Sequence, residues 1–143
     1  MKIKICSPVS RSYSEVFSGF SGDLFEYLAP KGQLKLLRFD GCKKGDIIEI
    51  QFLKPLKAFW RSEIVNTNFT EQEASFIDQG TVLPYGIKVW NHQHIVRKTG
   101  ENSCEIIDEI DYQGLNFFVT LFHFVPLYLS FYQRKSKYCS FFE

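Results

Sequence analysis

The residues best placed to do chemistry in this chain lie in two short segments. One is Trp90-Asn-His-Gln-His94, with two imidazoles a single residue apart, and the other is Cys104-Glu-Ile-Ile-Asp-Glu-Ile-Asp-Tyr112. Both read as strands, and on a strand residues of equal parity share a face. Trp90, His92, His94 and Val96 therefore project together. In the second segment Glu105, Ile107, Glu109 and Asp111 form a largely charged face, which leaves Cys104, Ile106, Asp108, Ile110 and Tyr112 facing the interior. A carboxylate placed among hydrophobic residues needs a partner, because an unpaired buried charge is costly. A hairpin loop centred on Gly100 sets His92 across from Asp108, and one centred on Glu101 sets His94 there. Either register gives an Asp–His contact that fixes the imidazole tautomer and leaves the second ring nitrogen for a ligand.

His92, His94 and Asp108 are accordingly the candidate catalytic groups, an oriented imidazole being able to act as a general base. In the segment Phe76-Ile-Asp-Gln79, parity places Phe76 and Asp78 inward and Ser75 and Ile77 outward. Beside Gln79-Gly80, Asp78 reads equally well as an acceptor of backbone N–H bonds in a turn. Two imidazoles on one strand face also occur in zinc sites, with Asp108, Asp78 or His123 available as a third ligand. The spacing does not match the His-x-His metal proteins of the cupin type, whose glutamate follows sooner than Glu101 does here. No metal or other cofactor is expected. His123, on an apolar helix, reads as a satisfied core histidine, and Cys104 as a small hydrophobe. No G-x-S-x-G elbow, P-loop or G-x-G-x-x-G occurs, which removes support for a serine hydrolase, a nucleotidase or a dehydrogenase.

The elements that must carry these residues can be read from periodicity. Residues 2–7 alternate as a first strand. Ser12-Tyr-Ser-Glu15 has capping-box spacing, with Tyr13, Val16, Phe17 and Phe20 on one helical face. Ser21-Gly-Asp23 breaks that helix and starts a second over 24–28. Strands follow over 34–39, 46–53, 58–65, 74–77, 87–97 and 104–112, separated by turn signals at intervals too short for crossover helices, so an antiparallel meander is predicted. Ile48, Ile50 and Phe52, and then Trp60, Ser62 and Ile64, form the inward sets. Residues 115–132 are almost wholly apolar, with Asn116, Thr120, His123 and Ser130 as exceptions. That pattern predicts a helix buried on nearly all sides by protein or lipid. At about 18 residues it stands at the lower edge of a membrane span. Pro126 favours a kinked helix wrapped by a sheet, and a membrane association is not expected.

The 143 residues suit a single domain spanning 1–143. Fifteen Phe, seven Tyr and two Trp give an aromatic share of 17%, more apolar surface than a small core needs. Seventeen basic against sixteen acidic side chains leave a net charge of +1, which argues against nucleic acid as a partner. Cys6, Cys42, Cys104 and Cys139 are widely spaced. Together with an amino terminus lacking an apolar leader stretch, they point to reduced thiols in a cytoplasmic protein.

The order of elements and seven short segments resemble the START/Bet v 1-like (SRPBCC) superfamily, in its bacterial ligand-binding and polyketide cyclase-like branch. The segments are Ser14-Glu-Val-Phe17, Leu28-Ala-Pro30, Gly45-Asp-Ile-Ile-Glu-Ile50, Phe76-Ile-Asp-Gln79, Trp90-Asn-His-Gln-His94, Asp108-Glu-Ile-Asp-Tyr112 and Phe131-Tyr-Gln-Arg134. Leu83-Pro-Tyr85 stands where the family usually has Gly-Pro-Phe, with a longer gap to the Trp. The resemblance implies an α+β helix-grip fold: a curved antiparallel sheet of about seven strands gripping a helix over 115–137, with two short helices after the first strand and an internal cavity. It further implies a hydrophobic small-molecule ligand such as a lipid or polyketide. Phe76, Trp90, Tyr112, Phe118 and Phe122 would supply contact area, and Asp78, His92, His94 and Asp108 would orient a polar group. The alternative is a cyclase or dehydratase using an Asp-oriented His. A homodimer is compatible with either reading.

Overall fold

A computed structural model describes residues 1–143. The chain runs β1 (Lys2–Val9), α1 (Tyr13–Ser18), α2 (Gly22–Leu28), β2 (Leu34–Phe39), β3 (Ile47–Phe52), β4 (Ala58–Phe69), β5 (Glu73–Val82), β6 (Ile87–Gly100), β7 (Ser103–Gly114), α3 (Phe117–Tyr132) and α4 (Arg134–Phe142). All seven strands form one antiparallel sheet in the order β1-β7-β6-β5-β4-β3-β2. This is the α+β helix-grip layout predicted above.

Local chemistry sets the helix starts. Ser12 Oγ accepts from the Glu15 amide and Ser21 Oγ from the Leu24 amide, so each short helix opens on its own cap. Asn116 does the same for α3, accepting from the Val119 amide at 3.0 Å. The alternating strands bury one face. Ile3, Ile5, Ile48, Ile50, Trp60 and Ile64 pack there with Phe76, Trp90, Ile110 and Phe131. A second cluster, containing Val16, Leu24, Val96, Ile106 and Tyr138, joins α1, α2 and α4 to β1, β6 and β7.

The structure departs from the sequence reading in three places. Strands β4 to β7 extend past the expected limits, because backbone pairing continues along the hairpins after the apolar alternation fades. Register shifts at Arg61/Ser62 and Ile64/Asn66 accommodate the extra length. The terminal helix is two helices meeting at Gln133, and α4 folds against β1 and α2, with Lys137 Nζ donating to Leu28 O at 3.1 Å. Finally, α3 is not enclosed. Only Thr120 and Phe131 are buried, whereas Phe118 and Phe122 are 78% and 76% exposed. An open sheet reaches one side of a helix and leaves the other to solvent. No helix is long and apolar enough to cross a membrane.

Candidate functional site

The central strands β5, β6 and β7 bring the polar residues together. Asp78 pairs with His92 across β5–β6, Phe76 pairs with His94, and His94 pairs with Asp108 across β6–β7. Asp78 thus lies within a strand, not in a turn. The loop-centred-on-Glu101 register is the one adopted, yet the shorter side-chain contact is the diagonal one. His92 Nε2 lies 2.8 Å from Asp108 Oδ1, while His94 Nδ1 lies 3.4 Å from the same oxygen, too far for a good hydrogen bond. Tyr138 OH donates to Asp108 Oδ2 at 3.3 Å.

Asp108 has no exposed surface. Burial alone would raise its carboxyl, but the hydrogen bond from His92 and the nearness of both imidazoles outweigh that and hold it well below the usual carboxylate range. His92 moves the other way. Burial, reinforced by His94, pushes its imidazole down to about 3 against the pull of Asp108. A neutral His92 beside an ionised Asp108 must donate from Nε2–H, so its Nδ1 carries a lone pair. His92 Nδ1 forms no hydrogen bond within the protein, and neither ring nitrogen of His94 does. The rings are held by packing: His92 and His94 have centroids 3.6 Å apart, Phe76 stacks on His94 at 4.3 Å, and Phe131 meets His92 edge-on at 5.0 Å.

Asp78 Oδ1 is buried with no hydrogen-bond partner, as is the neighbouring Ser62 Oγ. Burial raises the Asp78 carboxyl, opposed by Ser62 and then by the charges of His94 and Arg134. One ligand atom from each of Asp78, His92 and His94 falls within 4.8 Å of the others.

These groups form the polar pole of a cavity of about 830 Å³ bounded by the sheet, α2 and α3. Its walls are mostly apolar, with Phe25, Phe52, Trp60, Leu127 and Phe131 prominent. Phe76, Asp78, Trp90, His92 and His94 line it, and Phe118 and Phe122 line its open edge. Asp108 and Tyr112 do not. Asp108 sits behind the imidazoles, and Tyr112 spends its hydroxyl on Thr120 O at 2.7 Å, tying β7 to α3. The Leu83-Pro-Tyr85 loop closes one edge of the cavity. Tyr85, with φ of 58°, donates its hydroxyl to Leu56 O, and its carbonyl meets His123 Nε2 at 2.8 Å. Cys42 also borders the cavity, but burial pushes its thiol up to about 12, which makes it a poor nucleophile. A second depression, of about 520 Å³, lies on the opposite face among Lys2, Lys4, Glu109 and Asp111 and gathers no buried polar cluster.

Sequence reasoning missed Arg134 and Tyr138. Both line the cavity, and Arg134 lies 4.0 Å over the Phe131 ring. Their spacing of three and seven residues from Phe131 is the helical signal that links them to it.

No protein-family model and no curated protein matches the chain. Solved structures do. Norcoclaurine synthase from Thalictrum flavum, in complex with dopamine and hydroxybenzaldehyde, superposes with a TM-score of 0.63 at 18% identity, over 96% of this chain and 84% of that one. Zhui aromatase/cyclase from Streptomyces sp. R1128 gives a TM-score of 0.69 at 8% identity, over 96% and 90%. The hypothetical protein jhp0584 from Helicobacter pylori gives 0.69 at 10%, over 99% and 86%. At such identities the likeness is one of fold. The strand order, the helix laid across the sheet and these neighbours agree on a helix-grip fold, consistent with the START/Bet v 1-like resemblance read from the sequence.

Proposed function

We propose that the protein binds a hydrophobic small molecule of the lipid or polyketide class. Its apolar body would lie along the aromatic walls and its carbonyl or hydroxyl end against Asp78, His92 and His94. The observation that carries this reading is an apolar cavity of about 830 Å³ with one buried polar pole, a size and composition typical of small-molecule sites. Two fold neighbours, a norcoclaurine synthase in complex with dopamine and hydroxybenzaldehyde and a polyketide aromatase/cyclase, are compatible with small aromatic or polyketide ligands here. Cytoplasmic location belongs to the same proposal, supported by four unpaired cysteines. Native mass spectrometry of the protein purified from its own host tests it. A co-purifying apolar compound is expected, and its loss on filling the cavity with Leu127→Trp. A ligand-free protein that also binds no fatty acid or polyketide probe overturns the proposal.

A cyclase or dehydratase activity is the second reading, favoured by the 2.8 Å His92–Asp108 pair and the free Nδ1. It ranks lower for a physical reason. An imidazole held at about 3 is a weak base some four pH units below neutrality, where general-base catalysis is inefficient. Turnover of a polyketide-like substrate that survives His92→Ala and His94→Ala together would eliminate it.

A further inference from the structure

We propose that Asp78, His92 and His94 form a binding site for a divalent first-row transition metal ion, zinc being the best fit, with its open coordination position facing the cavity.

The argument starts from hydrogen-bonding character. Asp108 takes the Nε2 proton of His92 at 2.8 Å and lies nearest Nδ1 of His94 at 3.4 Å. Asp108 thereby orients His92 and leaves its Nδ1 as an unpartnered lone pair, while His94 makes no hydrogen bond at either ring nitrogen, so that either nitrogen can serve as the lone pair. The third group, Asp78, contributes an oxygen that is buried and equally without a partner. Each of the three residues thus offers an acceptor atom that no hydrogen bond satisfies, with Ser62 and Arg134 the donor-bearing groups near Asp78. Acceptors gathered in a buried place are stabilised by a cation.

The kind of cation follows from the ligands. Two imidazole nitrogens and one carboxylate oxygen suit zinc and its first-row neighbours, whereas magnesium and calcium prefer all-oxygen shells. Three protein ligands leave a fourth position for water or for an oxygen of a bound molecule. The ligand atoms now lie within 4.8 Å of one another. Around a tetrahedral ion with bonds of about 2.1 Å they would be about 3.4 Å apart, so the side chains close by roughly an ångström on binding.

The supporting shell is already built. A carboxylate hydrogen-bonded to the far nitrogen of a metal-bound histidine is the usual outer partner of zinc, and Asp108 holds that position for His92. Phe76 stacked on His94 and Phe131 edge-on to His92 restrict ring rotation. The β5–β6 register, which sets Asp78 opposite His92, supplies the third ligand that spacing along the chain left undecided.

The site does not rest on the apolar-ligand reading, because metal binding is measured without an organic ligand. Full-length protein stripped with a chelator is titrated with Co²⁺ and then with Zn²⁺, followed by visible d–d absorption and equilibrium dialysis. One equivalent is expected to bind, with Zn²⁺ displacing Co²⁺. Asp78→Asn and His94→Gln should each weaken binding at least tenfold, and Asp108→Asn about ten- to a hundredfold, the range seen for outer-shell partners. Far-UV circular dichroism and tryptophan fluorescence confirm that each variant is folded. A Cys6→Ser/Cys139→Ser variant, which removes two thiols outside the cavity, should bind as the wild type does. Absence of a saturable Co²⁺ band, binding unchanged in both Asp78→Asn and His94→Gln, or binding lost with the two cysteines would each overturn the assignment.

Discussion

Replacing Asp78 with Asn keeps the shape of the side chain and removes a carboxylate whose Oδ1 is buried without a partner. Leaving such a group unsatisfied costs about 1–3 kcal/mol, more when it is charged. The amide retains part of that cost but can donate to Ser62 Oγ, itself unpaired. A net gain of about 1–2 kcal/mol is therefore expected for the metal-free protein. Unfolding entropy of about 2.1 cal/mol/K per residue makes this a rise in Tm of roughly 3–7 °C for a chain of 143 residues. The gain carries a pH signature. Burial raises the folded carboxyl above its ordinary 3.8, against Ser62, His94 and Arg134. A raised carboxyl destabilises nothing while it is protonated, below the unfolded value, and its cost grows as pH rises through the folded value. The variant should thus outperform the wild type at pH 8 and match it near pH 4. Differential scanning calorimetry in the presence of a chelator measures both. A variant destabilised by more than about 1 kcal/mol at pH 8, or a gain of equal size at the two pH values, refutes the reasoning.

Asp108→Ala strands the His92 N–H and the Tyr138 hydroxyl. It should cost about 2–4 kcal/mol by urea denaturation, the penalty for two buried donors left unsatisfied, and a loss below about 1 kcal/mol would show that water takes over the carboxylate's role. The metal-free protein should lose stability as pH falls below 6.5, because the unfolded chain then takes up a proton that folded His92 refuses until about 3. The slope from this group is at most about 1.4 kcal/mol per pH unit, and His92→Gln should flatten the urea midpoints between pH 7 and 4. Phe131→Ala, which removes a buried ring touching Trp90 and His92, should cost about 3 kcal/mol, the low end for a core phenylalanine because it borders an existing cavity. Phe122→Ser on the exposed side of α3 should change stability by no more than about 0.5 kcal/mol in the same assay.

Strand parity was enough to place Asp108, His92, His94, Asp78 and Phe76 on one face, because the two-residue period is rigid and each of these polar residues interrupts an apolar set. It could not choose between His92 and His94. A register settles which Cα atoms face each other, but side-chain rotamers settle which ring reaches the carboxylate, and here the diagonal one does. Tyr112 fits its apolar face well; that its hydroxyl is spent on Thr120 depends on where α3 begins, a long-range fact. The same limit hid Arg134 and Tyr138, whose positions depend on α4 folding back on β1. Periodicity identified α3 as a helix but carries no information on its distance from the sheet, which is why Phe118 and Phe122 lie in solvent at the cavity edge.

Asp78, His92 and Asp108 are borne by three adjacent strands, whereas much of the cavity's apolar wall comes from α2, α3 and the ends of β3 and β4. For the small-molecule ligand proposed above, recognition of a functional group and accommodation of molecular size would therefore be coded by separate residues. Substitutions at Phe25, Phe122 or Leu127 would lengthen or shorten what fits without displacing the atoms placed to read its polar end. Under that proposal, a scaffold divided in this way would change what it binds by small steps, each keeping one half of the recognition intact.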